Sequence, residues 1–338
     1  MKRMTALAAL LTTSALIPHA PAMAQDAAAA ASSPSAAPDT QAQIEALQAQ
    51  VKALQDTLEQ LKAQVATATP AWKGAPQLAN EEAGWSFKPR GRLQYDFGHV
   101  SSPDGYENLG LGFSNEIRRA RLGVEGTMPG DFGYKFEVDV ATGSVEFADA
   151  YFSYAPGPVE FIVGQHNNFQ SLEELTSSLH TSFIERAAFT DAFGFERRVG
   201  VSAQYARGNL LAQGGVFTDS IADLNELGDD NNSYGFDSRL VYAPKLGSNQ
   251  LHFAGSFHWR DLNDAASIVR YRQRPAIHTT DVRFIDTGPV PDAEKETGYG
   301  AEAAGIFGPF HLAGEAYWQT VSRAGSDPTF FGAYLEGG

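Results

Sequence analysis

The chain has 338 residues, no cysteine, and 25 basic against 40 acidic side chains, a formal net charge of −15. Without cysteine there is neither a disulfide framework nor a thiolate metal site, and the acidic balance argues against polyanion partners such as nucleic acid. After the first two dozen residues no apolar run reaches the roughly 18–20 residues that a membrane-crossing helix requires.

Met1-Lys2-Arg3, an apolar run from Met4 to Ile17 and the small-x-small motif Ala22-Met23-Ala24 predict a secretory signal over 1–24, cleaved before Gln25. Residues 25–40 are largely Ala, Ser and Pro and read as a disordered tether. Over 41–66 a heptad pattern follows, with Ile44, Val51, Leu58 and Val65 at one seam position and Leu47, Leu54 and Leu61 at the other. That stripe predicts a coiled coil, with a lone amphipathic helix as the alternative; its seam chemistry leans to two strands without excluding three. Residues 67–84, with Pro70 and Pro76, form a linker.

From residue 85 to 338 the pattern has a period of two. In 87–97, Phe87, Leu93, Tyr95 and Phe97 share one face, and Lys88, Arg90, Arg92, Gln94 and Asp96 share the other. Twelve such strands are expected, near 86–99, 115–128, 132–142, 146–155, 159–166, 195–207, 210–219, 233–243, 250–260, 297–307, 310–321 and 329–336. Tight turns such as Pro129-Gly130-Asp131, Pro156-Gly157-Pro158 and Gly208-Asn209 alternate with long polar connections at 100–114, 167–194, 220–232 and 261–296. Short turns at one rim and long loops at the other are the layout of an antiparallel transmembrane β-barrel, and aromatic residues near strand ends suit its interfacial girdles. A soluble sandwich would need a shared core and would not alternate its loops in this way.

Several stretches carry a resemblance: Glu116-Ile117-Arg118-Arg119-Ala120-Arg121-Leu122, Tyr134-Lys135-Phe136-Glu137-Val138-Asp139, Phe161-Ile162-Val163-Gly164-Gln165, residues 171–178, residues 183–187, and Trp259-Arg260-Asp261-Leu262. In order and spacing they resemble the phosphate-selective porin O and P family of Gram-negative outer membranes. The resemblance implies an all-β, 16-stranded trimeric barrel whose third loop folds inward, conducting anions, with phosphate or polyphosphate the family's named substrates. Its surroundings would be outer-membrane lipid and lipopolysaccharide, with the coiled coil in the periplasm. About twelve strands are present, so the chain reads as lacking the C-terminal ones; an even-numbered smaller barrel is the alternative.

Strand parity places Arg119, Arg121, Arg198, Arg239 and Arg260 on the lumen face, together with Asp96, Glu125, Glu137, Asp139, Asp237 and Glu315. The wall is therefore of mixed charge. Arg270, Arg272 and Arg274 alternate in the loop 261–296, so an extended backbone would line up three guanidiniums for oxyanions. Arg186, Ser177 and Ser178 match residues of the family's constriction loop. Two departures are visible: Leu179-His180 stands where phosphate-specific members carry lysine, and Ala148, followed by Asp149, stands where they carry an acid. No cofactor, metal or catalytic constellation is implied. Gly110-Leu111-Gly112 lacks a βαβ context, and His252 and His258 read as ordinary wall residues. Two other classes are a structural barrel tethered by its coiled coil with weakly selective diffusion, and a membrane lipase, for which no nucleophile elbow is present.

Overall fold

The computed structural model describes residues 40–67, 71–72, 76–105, 110–224, 231–263 and 267–338. The expected signal segment and all of the tether except Thr40 lie outside the described residues. A 28-residue helix, α1, spans Thr40–Thr67 and stops three residues before Pro70. Ile44, Leu47, Val51, Leu54 and Leu58 are all exposed on it, so its apolar stripe is bare within one chain. The side chains of Leu61 and Val65 lie outside those described.

Twelve long strands follow, each where alternation predicts one: β1 Trp85–Val100, β2 Gly112–Met128, β3 Phe132–Asp139, β4 Glu146–Tyr154, β5 Val159–Asn167 and β6 Arg197–Arg207. The remainder are β7 Leu210–Phe217, β8 Tyr234–Tyr242, β9 Asn249–Asp261, β10 Ala293–Phe307, β11 Phe310–Arg323 and β12 Thr329–Gly337. Each pairs antiparallel with the next, and the short strand Pro76–Asn80 adds to the outer side of β1. Among the described residues β1 and β12 are not paired with one another. Among the described residues no helix is long and apolar enough to cross a membrane.

Burial is inverted relative to a water-soluble fold. On β1 exposure alternates without interruption, with Phe87, Leu93, Tyr95 and Phe97 outside. The outward set continues with Phe113, Leu122, Phe152, Val163, Val216, Leu240, Tyr299, Leu312, Phe331 and Leu335. The opposite face buries Arg119, Glu137, Asp149, Arg198, Asp237, Arg239, Glu302 and Glu315. A convex apolar face around a charged interior is stable only if the outside solvent is apolar. Outward aromatic pairs sit near both rims: Phe132 stacks on Tyr154 at 4.8 Å beside short turns, and Tyr234 meets Trp259 edge-on at 5.7 Å beside the long loops.

Three register shifts interrupt the simple parity among the described residues, one at the start of β10 and two that shape the inner wall. Gln94 pairs with Arg119 but Tyr95 with Ile117, so β2 carries an extra residue, Arg118. Glu116 and Arg118 face inward before it, and Arg119 and Arg121 after it. In β4, Phe136 pairs with Ala150 but Val138 with Phe147, which sets Ala148 and Asp149 together opposite Glu137. Such extra residues re-aim side chains without breaking the sheet.

Candidate functional site: a cationic cavity under an inward loop

The connection 168–196 between β5 and β6 lies across the inner face. It contains two short helices, α2 Leu172–Leu175 and α3 Ala188–Ala192. On one side the carboxylate of Glu315 in β11 accepts from the backbone N–H groups of Leu172 and Glu173, both at 2.8 Å, and from the Ser171 hydroxyl at 3.2 Å. Gln170 donates to Asp237 of β8 at 2.6 Å, and Phe189 packs against Tyr317 and Tyr334. A Cβ on Gly332 would collide with Phe189, so this glycine provides the seat for α3. On the other side Arg118 of β2 holds Glu185 at 2.5 and 3.2 Å, and Arg92 of β1 reaches Ser178. Contacts from one loop to β1, β2, β8, β11 and β12 require the sheet to curl around it.

Between this loop and β1–β6 lies a cavity of about 280 Å³. Arg90, Arg92, Arg119, Arg121, Lys135, Arg186 and Arg197 border it, against the carboxylates Glu137, Asp149 and Glu174. Five of the seven cations are committed. Arg90 pairs with Glu125 and Glu137, Arg121 with Glu137 and Asp139, Lys135 and Arg197 with Asp149, and Arg186 with Glu174. Arg92 and Arg119 differ, because their hydrogen-bond partners are neutral. Arg92 donates to the Ser178 hydroxyl at 2.8 Å and to that of Ser177 at 3.4 Å, and Arg119 donates to the Gln94 side-chain oxygen at 3.2 Å. Among the described residues neither forms an ion pair with a carboxylate.

The profile of the phosphate-selective porin O and P family matches residues 87–338, which is all twelve long strands except the start of the first. The chain belongs to this family. An uncharacterized protein of Caulobacter vibrioides is 48% identical over 273 residues, 78% of this chain and 55% of that one. Porin O of Pseudomonas aeruginosa is 25% identical over 270 residues, 72% of this chain and 60% of that one. The chain thus spans somewhat over half the length of these two relatives. Among solved structures, OmpT of Vibrio cholerae, an outer membrane protein folded in vitro, aligns with TM-score 0.46 and 9% identity over 79% of this chain and 71% of that one. Its loop L8 deletion mutant aligns with TM-score 0.46 and 10% identity over 75% of this chain and 76% of that one.

Of the residues singled out in the sequence, Arg119, Arg121, Arg186, Ser177 and Ser178 meet at this cavity. Arg186 has more to do than face it. Its guanidinium donates to the carbonyl oxygens of Glu173 at 2.9 Å, Glu174 at 3.3 Å and Thr176 at 2.9 Å, so it holds the end of α2 in place. Arg270, Arg272 and Arg274 are elsewhere, at a second cavity of about 320 Å³ that Arg198, Arg260 and Arg283 also border, with Asp191, Glu196 and Glu296. Tyr271 and Gln273 between them are buried, so the backbone is extended and the three arginines share a side. Arg270 is paired with Asp286 and Arg274 with Asp281 and Asp191. Arg272 is exposed and, among the described residues, forms no ion pair.

Three features of the site were not legible in the sequence. Arg118 faces inward only because of the bulge in β2, and Arg92 reaches the serines from 85 and 86 residues away. Arg92 therefore sets a positive charge beside Ser177 and Ser178, whereas Leu179, at the expected lysine position, is 56% exposed. The bulge in β4 likewise turns Asp149 into the cavity next to Ala148.

The loop carboxylates respond differently to burial. Burial pushes Glu173 up to about 7, the Glu315 carboxylate adds to the rise, and the N–H of Ala187 at 2.8 Å and the charge of Arg186 offset it only in part. Burial also raises Glu174. For Glu185, burial alone would raise the carboxyl, but hydrogen bonds and charge from Arg118 outweigh it and hold it below the ordinary carboxylate range. The linking pair Arg118–Glu185 is therefore ionised at neutral pH, while Glu173 is only partly so.

Proposed function

We propose that this chain is the channel-forming part of an outer-membrane porin that favours small anions such as phosphate or polyphosphate, passing them through the constriction beneath loop 168–196. The observation that supports this most is that, of the seven cations around one cavity, Arg92 and Arg119 donate only to neutral groups among the described residues. Low-dielectric walls focus such a field, so the local excess outweighs the acidic charge of the whole chain. The hydroxyls of Ser177 and Ser178 supply donors for an oxyanion once Arg92 turns toward it. The cavity bordered by Arg270, Arg272 and Arg274 supports a second anion station in series, since conduction needs several sites of moderate affinity.

The reading includes a closed barrel in a Gram-negative outer membrane, sixteen strands and a trimer by family likeness, and self-association of α1 through its bare apolar stripe on the periplasmic side. Its lipid-facing surface would be the exposed apolar set, bordered by lipopolysaccharide at the long-loop rim. The test is a reversal-potential measurement on the full chain in planar bilayers under a potassium chloride gradient. Chloride permeability above that of potassium is expected. A cation-preferring or silent protein would refute the reading in favour of a weakly selective, structural barrel.

A further inference from the structure

The inner wall is not polar down to the short-turn rim. On β7 and β8 the inward positions Gln213 and Arg239 are followed by Leu211 and Val241, and Val241 is 3% exposed. Together with Leu172 and Leu175 of α2 these side chains border a cavity of about 400 Å³. Its polar edge carries no free charge: Arg239 donates to Glu302 at 2.6 and 2.8 Å, and His252 contacts the same carboxylate at 2.9 Å. An apolar pocket on the wall of an aqueous passage is exposed to water whenever it is empty, which is unfavourable unless something apolar fills it.

This pocket adjoins the cationic cavity, because Leu175 and Thr176 border both. Leu172 and Leu175 are also fixed in place. Glu315 holds the start of α2 and Arg186 its end. A solute held by Arg92 and Arg119 through an oxyanion could therefore place an attached apolar group against Leu175, Leu211 and Val241.

We infer that the solute class best matched to this passage is an organic oxyanion with a compact apolar substituent, such as an aryl or short alkyl phosphate. The inference rests on the reading of the cationic cavity as an anion site. Removing one face of an aromatic ring from water strengthens binding by about tenfold over the bare anion.

The experiment is block of chloride current through the full chain in planar bilayers, titrated with inorganic phosphate and with phenyl phosphate at a pH where both are dianions. Phenyl phosphate is expected to block at about tenfold lower concentration. Leu211→Gln and Val241→Thr should each bring it to within about twofold of inorganic phosphate, with the inorganic block and the chloride-to-potassium permeability ratio unchanged. Heat-modifiable migration on gels reports whether each variant has folded, and Val241→Thr, nearly isosteric, serves if Leu211→Gln does not. Equal block by the two anions in the unmodified chain, or a phenyl preference that survives a folded variant, would overturn the inference while leaving the porin reading intact. Benzyl alcohol should not block; if it matches phenyl phosphate, the coupling of the two cavities is refuted. Absence of anion preference and of block by either phosphate overturns both readings.

Discussion

At the scale of single residues, the distinction that matters is between arginines that a carboxylate has neutralised and those that none has. Arg121 lies between Glu137 and Asp139, at 3.2 and 2.8 Å, whereas Arg92 and Arg119 have only hydroxyl and amide partners. Arg92→Gln is therefore expected to lower the chloride-to-potassium permeability ratio several-fold at low salt, where the Debye length is about 30 Å, and less at high salt. Arg121→Gln should instead cost stability, because it leaves Asp139 without its cation and Glu137 with Arg90 alone. Equal effects of the two on selectivity would show that pairing does not decide which charges an ion senses. Glu173 gives a pH dependence. Its carboxyl is raised from an ordinary 4.5 to about 7, so the folded loop binds a proton that the unfolded loop has lost. Loop stability is then greatest below about 4.5, declines as pH rises towards about 7 and is flat above. Amide exchange across 170–187 should follow that course, and once intrinsic exchange is corrected for the decline should be clearly shallower in Glu173→Gln, the remainder coming from Glu174, which burial also raises.

At the scale of elements, loop 168–196 works as a bridge whose two ends are held by different chemistry. Glu315 and the Phe189 seat fix one end, and Arg118–Glu185 fixes the other. Glu185→Ala leaves Arg118 part-buried without a partner, a loss of about 1–3 kcal/mol concentrated on the β2 end of the bridge. The expected readout is faster exchange and noisier open-channel current without a change in the β-sheet signal. In the 261–296 connection the short strand Arg272–Gln273 pairs with Ile285–Asp286, and this pairing extends the arginine row. Replacing Arg270, Arg272 and Arg274 together by Ala should reduce anion preference. Arg272→Ala alone should account for most of the change, since the other two face aspartates. Strand positions were legible in the sequence, as was the shared inward parity of Arg119 and Arg121. The bulges were not, because an extra residue in one strand is defined only by the register of its neighbour. For α1, the helix was legible, and its exposed stripe is expected to drive self-association. A peptide of 41–66 that sediments as a monomer with low helicity at high micromolar concentration would refute this.

At the scale of the whole molecule, the charged interior and apolar exterior make a prediction that separates lipid from water as the outer solvent. Leu93 is 73% exposed. In a water-soluble protein Leu93→Lys would change stability by at most about 0.5 kcal/mol. Facing lipid it should cost about 2–4 kcal/mol near the bilayer midplane and correspondingly reduce the folded fraction in phospholipid vesicles under urea titration.

The sequence alone determined the period of two, the twelve strands, which face of each is apolar, the alternation of loop lengths and the family. These are local properties, set by side-chain alternation and turn chemistry within a few residues. Only the tertiary structure decided which charges meet. Arg92 joins Ser177 and Ser178, Arg118 joins Glu185, Arg186 closes on its own loop's carbonyls, and Asp149 turns into the cavity beside Ala148. Hydrogen bonds and ion pairs between residues tens to hundreds of positions apart depend on register and on the curl of the sheet. A twofold pattern read along one strand carries no information about either.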